Sequence, residues 1–110
     1  MLTREQILEI QDAKIEEVKI PEWGGSVFIK SMSSRERDRF EEMHLSQNKA
    51  NTRARIAAAC TCDADGALLF TEADIEALGQ KDGKAVNRIF SKAMDLCGFT
   101  ADDVEELEKN

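Results

Sequence analysis

A chain of 110 residues carries one domain's worth of core, and 42% apolar content is enough for it to fold. Its 15 basic and 22 acidic residues give a net charge of −7, so duplex nucleic acid and anionic membranes are excluded as natural partners, because both repel an acidic surface. No segment approaches the roughly 20 apolar residues of a spanning helix. The opening "MLTREQILEIQD" lacks the unbroken apolar core of a signal peptide, so a cytoplasmic location is expected.

Thr3 followed by Gln6 reads as a capping box. Ile7, Leu8 and Ile10 then predict a short helix that fades near Asp12. Residues 14–31 switch to period-two text: Val18 and Ile20 alternate with charges, and Val27 and Ile29 follow the same rule. Pro21-Glu-Trp-Gly-Gly25 interrupts them. This predicts a β-hairpin with a loop of about four to six residues. Pro21 belongs at a strand end, and Gly24-Gly25 supply the positive φ of the reversal.

Ser33 and Glu36 form a second capping box, opening a helix whose apolar stripe is narrow: Phe40, Met43 and His44. Arg35 and Arg39 lie one turn apart as a like-charge pair, either solvated or waiting for an acidic partner. A polar breaker precedes a small-residue helix in which Ala54, Ala57 and Ala58 allow close approach of a neighbour. Asp65-Gly66 is a turn.

Residues 70–78, "FTEADIEAL", echo residues 99–107, "FTADDVEEL". Each reads as a helix start: a Thr cap (Thr71, Thr100), an Asp three residues on (Asp74, Asp103), and a staple of Phe70 on Ile75 or Phe99 on Val104. Between the copies, Val86, Ile89, Phe90, Ala93, Met94 and Cys97 trace the best helical stripe in the chain, and Gly98 suits its C′ position. The last helix turns Val104 and Leu107 inward. The fold class is α+β, mostly α, with about five helices and one small antiparallel hairpin. One domain over 1–110 is expected, with the hairpin in an N-terminal half of about 1–48 and a helical half of about 50–110.

Three cysteines are an odd number, and Cys60 and Cys62 are too close for an easy mutual disulfide, so free thiols are expected. Those cysteines with His44 match zinc by count and fail by spacing. The calcium-loop pattern laid on residues 61–72 places Asp63, Asp65, Gly66 and Glu72 suitably. It fails at Thr61, where a carboxylate belongs, and at Leu69. A degenerate EF-hand-like calcium module on 61–72 is the alternative reading of function. A nucleic-acid mimic is disfavoured because Arg35, Arg37, Arg39, Arg53 and Arg55 break up any negative face. No catalytic constellation, cofactor site or metal site is indicated. Trp23 is either a core anchor at the turn or a displayed contact residue.

Nearly the whole chain, about residues 5–110, resembles the tail assembly chaperones of long-tailed bacteriophages and prophages. The likeness lies in "ILEIQDAKIEEVKIPEWGGSVFIKSMSSRERDRFEE", "DADGALLFTEADIEALGQK" and "AVNRIFSKAMDLCGFTADDVEELEKN", in that order. The resemblance implies a non-enzymatic protein that binds the tape-measure protein, recruits tail-tube subunits and self-associates. It also implies action in the cytoplasm of the bacterial host, absence from the mature virion and, in many members, a longer frameshifted form. Local physics alone adds an expected contact surface: Pro21, Trp23 and Gly24 of the hairpin with Met32, Phe40 and Met43. The C-terminal helix would be a second.

Overall fold

The computed structural model describes residues 1–109; Asn110, the end of the Glu-Lys-Asn word, lies outside the described residues. Helix α1 (Arg4–Glu9) is capped by Thr3 as its sequence predicts: the Thr3 hydroxyl accepts from the Gln6 N–H at 3.2 Å and the Gln6 side chain accepts from the Thr3 N–H at 2.9 Å. It buries none of its residues.

Strands β1 (Ile15–Ile20) and β2 (Gly25–Lys30) pair antiparallel, from Ile15 opposite Lys30 to Ile20 opposite Gly25. Alternation puts Val18, Ile20, Val27 and Ile29 on one face, and Ile20 and Ile29 are fully buried there. The connection is tighter than two glycines require. Pro21–Trp23 form a 3-10 turn, and only Gly24 takes positive φ, at +68°; Gly25 is already a strand residue. Pro21 fits because the first position of such a turn has no use for its missing N–H.

A third strand, β3 (Thr61–Cys62), pairs antiparallel with β2 to give the order β1-β2-β3. A two-residue strand is below what periodicity can register, so the expected two-stranded hairpin becomes a three-stranded sheet. β1 keeps one free edge, and Glu16, Glu17 and Lys19 stand along it.

Helices α2 (Ser34–Ser46), α3 (Thr52–Cys60), α4 (Ile75–Gly79), α5 (Gly83–Cys97) and α6 (Ala101–Glu108) complete the fold. The described residues thus hold six α-helices with the small sheet, an α+β fold that is mostly α, as expected. α2 begins at the Ser33–Glu36 capping box and α6 at the Thr100–Asp103 box. The two copies of the Phe-Thr word behave differently. At the second copy the Thr100 hydroxyl accepts from the Asp103 N–H and an α-helix follows directly. At the first, the Asp74 N–H reaches the Thr71 carbonyl at 3.0 Å, and a 3-10 turn over Glu72–Asp74 precedes α4. The breaker between α2 and α3 holds Asn48, Lys49 and Asn51 at positive φ, a conformation Asn tolerates better than most residues.

The core forms between the inner sheet face and α3, α4 and α5. α3 buries six residues: Ala54, Arg55, Ile56, Ala57, Ala58 and Cys60. α5 adds Ala85, Val86, Ile89, Phe90 and Ala93, then ends at Gly98 with φ +71°. The stripe read from the sequence is therefore correct, with Met94 and Cys97 at its half-buried margin. Ion pairs fasten the sheet to α5. Glu22 takes both Arg88 Nε (2.8 Å) and Nη2 (3.0 Å), and Lys92 meets Glu16 at 2.9 Å.

Ile29 touches this core from β2, the central strand of the sheet, and has no exposed surface. Ile29→Ala removes buried methylenes and leaves a cavity, so it is expected to lower unfolding free energy by about 3 kcal/mol. Urea unfolding followed by circular dichroism checks this; a loss under about 1 kcal/mol would mean that the sheet–helix interface repacks freely.

Candidate functional site

The residues expected to form one contact surface lie in two places. Pro21, Trp23 and Gly24 sit at the hairpin tip. Met32, Phe40 and Met43 lie beyond the opposite end of β2, a strand of six residues and so roughly 20 Å long at about 3.3 Å per residue. Sequence proximity suggested a single patch; the extended strand between them separates it.

The tip is a fixed platform. Its turn is closed by the Gly24 N–H on the Pro21 carbonyl at 3.1 Å. It is tied to α5 by the bidentate Arg88–Glu22 pair, and the Arg88 guanidinium holds the Glu22 carboxyl below the usual carboxylate range. Trp23 is 39% exposed on this platform, so it is not a core anchor.

The other residues line an open groove of about 650 Å³. It is lined by Met32, by Phe40 and Met43 of α2, by Ala58 and Ala59 of α3, and by Leu68, Phe70 and Ile75. Phe40 itself is buried, while Met32 and Met43 are half-exposed and Leu68 is exposed. Two cations stand in the lining. Arg39 is exposed and makes no ion pair among the described residues. Arg55 is 7% exposed; Nη2 donates to the Ala50 carbonyl at 3.2 Å, and Nε is buried without a hydrogen-bond partner. Burial pulls the Arg55 pKa down, and the nearby Glu72 carboxylate opposes that shift. Sequence reading placed Arg55 among the surface arginines, because Thr-Arg-Ala-Arg gives no local sign of which arginine turns inward.

His44, the last member of the narrow apolar stripe of α2, is only 1% exposed. Its ring stacks on Phe40 at 5.6 Å between centroids, and Nε2–H donates to the Leu107 carbonyl at 2.6 Å. Lys49 donates to the Glu106 carbonyl at 3.0 Å. These two donors occupy carbonyls of the last turn of α6, where a helix needs them most. Phe99 stands edge-on to Phe40 at 6.4 Å and beneath the Arg37 guanidinium at 4.2 Å. The inner face of α6 is thus taken up by the body of the protein, with Val104 and Leu107 half-buried as expected.

The three cysteines are free. Cys60 Sγ and Cys97 Sγ lie 3.8 Å apart across α3 and α5, and the Met32 N–H donates to Cys97 Sγ at 3.4 Å. The hydrogen bond from Cys60 lowers Cys97 to about 7, while Cys60 is held protonated.

The calcium pattern dissolves on inspection of residues 61–72. Thr61 and Cys62 belong to β3, and Asp63 Oδ1 is turned onto its own loop, accepting from the Asp65 N–H at 2.9 Å and the Ala67 N–H at 3.0 Å. Glu72 lies in the groove lining. Among the described residues, Asp63, Asp65 and Glu72 form no ligand cluster, and neither do the cysteines with His44. Among the described residues, no helix is long and apolar enough to cross a membrane.

Leu2, Ile7, Leu8 and Ile10 give a further surface that the sequence signalled only as a helix stripe. All four are exposed, Leu8 at 67%, on a capped helix with nothing packed over it.

His44, the chain's single histidine, supplies a pH readout in a Cys97→Ser background, which removes the other group that titrates near neutrality. Burial lowers its pKa, with Arg55 and Lys49 pushing the same way. Protonation would place an N–H on Nδ1, which is buried without a partner. The unfolded chain therefore takes the proton more readily. The stabilisation is complete above the unfolded value of about 6.5 and is lost as pH falls through the lower folded value. The urea midpoint is expected to drop between pH 7 and 5, a window above ordinary carboxylate titration, and a flat midpoint there would contradict the buried neutral ring.

Residues 3–110 match the family model described as phage tail assembly chaperone. Among solved structures, the chain is similar to one described as the structure of bacteriophage HK97 tail assembly chaperone. The two are 20% identical, with 84% of this chain and 94% of that chain covered and a TM-score of 0.59, a likeness of fold. No curated protein matches the sequence.

Proposed function

This chain belongs to the phage tail assembly chaperone family, and from that premise we propose that it binds the tape-measure protein and recruits tail-tube subunits during tail assembly, without catalysis. It works in the cytoplasm of the bacterial host, self-associates, and leaves before the virion is complete. The observation that carries the contact surface is Trp23: the chain's one tryptophan stands half-exposed on a turn fixed at both ends. A rigid aromatic side chain on a preorganised platform loses little entropy on binding, and such residues supply much of the energy of protein interfaces. The rim around it is charged, with Glu22, Lys19 and Lys84 nearby in the sequence or in the field at the turn. That pairing of an apolar centre with a polar rim suits transient recognition of an apolar helix.

Pro21 and Gly24 serve the tip by setting the turn that presents Trp23. Met32, Phe40 and Met43, expected to share a surface with the tip, serve instead a separate contact surface, the groove, alongside the expected one on the C-terminal helix.

The test is binding of a purified tape-measure fragment from the same genome, measured by calorimetry. The wild-type chain is expected to bind, and Trp23→Ala is expected to weaken binding about thirty-fold, the equivalent of about 2 kcal/mol at a hot-spot residue, with little change in melting temperature. Unchanged affinity in Trp23→Ala would remove the tip from the interface. No binding by the wild-type chain would end the tape-measure reading.

A further inference from the structure

Two apolar surfaces of this molecule lack a partner, and each has the shape the other needs. One is the arm, residues 1–10, where Ile7 and Leu8 project from a capped helix that buries nothing, with exposed Leu2 and Ile10 at its two ends. The other is the open groove of about 650 Å³, whose lining includes the small side chains Ala58 and Ala59. Small residues in a groove lining let a helix approach closely. We propose that the arm of one copy docks in the groove of a second copy, Leu8 and Ile7 packing against Met43, Leu68 and Phe70.

The charges agree with this occupant. Glu5 and Glu9 lie one turn apart on the arm, and Glu9 makes no ion pair among the described residues. The groove offers Arg39 unpaired and Arg55 with Nε buried and unsatisfied. A buried guanidinium nitrogen without an acceptor favours an incoming carboxylate. The carboxylates of the groove do not cancel this. Glu36 is already held by Lys30 Nζ at 2.9 Å and the Ser33 N–H at 2.8 Å, which leaves Glu72 as the one opposing charge in the lining.

Position also favours it. The root of the arm is fixed beside the mouth of the groove: Lys14 and Ser31 exchange hydrogen bonds at 3.0 and 2.9 Å, and Ser31 precedes Met32. Each copy therefore presents an arm next to a groove. The contact joins different surfaces, so it is heterologous and can repeat from copy to copy. A ten-residue arm covers less than the roughly 800 Å² per partner of a standard stable interface, so the contact is weak and assembly depends on concentration.

The inference rests on the self-association part of the proposed function and is independent of the tape-measure part. It is tested by sedimentation velocity on the full chain over a concentration series, with Leu8→Asp as the arm variant and Leu68→Asp as the groove variant. Both positions are exposed, and circular dichroism melts establish that each variant is folded. The wild-type chain is expected to grow with concentration and each variant alone to stay monomeric. An equimolar mixture should form one-to-one dimers, because it pairs an intact groove with an intact arm. Wild-type growth that Leu8→Asp retains would overturn the arm, and a mixture that stays monomeric while the wild type grows would overturn its pairing with the groove. A wild-type chain that is monomeric throughout, with the arm folded back on its own groove, would overturn the inference and self-association together. Fragment binding by Leu8→Asp, whose tip is intact, reads the tape-measure proposal separately.

Discussion

A helix packed on nearly every side has little room for large side chains, and α3 is such a helix. It touches α5, α4 and α2, and its last residue leads straight into β3. Ala54, Ala57 and Ala58 keep the neighbours close, and Ile56 supplies the one large aliphatic anchor. The rest of the molecule follows from this placement. Thr61 ends the helix by donating to the Ala57 carbonyl at 2.7 Å and in the same residue begins the strand that extends the sheet. The groove borders this helix, with Ala58 and Ala59 in its lining where larger side chains would take up its space.

Local signals were legible because they are local. The caps at Thr3, Ser33 and Thr100, the stripe of α5 and the C′ glycine at Gly98 each depend on residues within a few positions of one another. The hairpin was legible for the same reason. What could not be read depends on partners far along the chain. His44 is buried because α6 arrives 63 residues later to accept its proton donor. Arg55 turns inward although Arg53, two residues before it, lies over Phe90 on the outside. The separation of Trp23 from Met32 follows from the length of β2, a fact of geometry that composition does not carry. The family likeness was legible from the order of several words together, and those words name no contact residue.

Opposite ends of the chain are held by unlike means. The hairpin is fastened to α5 by its buried inner face and, at the tip and margin, by exposed ion pairs, which salt weakens and which contribute little each. α6 is fastened by its own last carbonyls, taken by His44 and Lys49, and by the stack of Phe40, His44 and Phe99. The two attachments therefore answer to different variables: ionic strength for the tip, proton concentration for the C-terminal helix.

The unpaired side of β1 remains. An open strand edge is a template on which other chains can polymerise, and a protein that meets copies of itself at high local density is most exposed to that hazard. Here the edge is short, and Glu16, Glu17 and Lys19 stand along it in a molecule already carrying −7. A second strand arriving at this edge would have to desolvate those charges, so amyloid-like stacking is disfavoured from the first step. The sheet edge is thereby kept from acting as a template for fibrils.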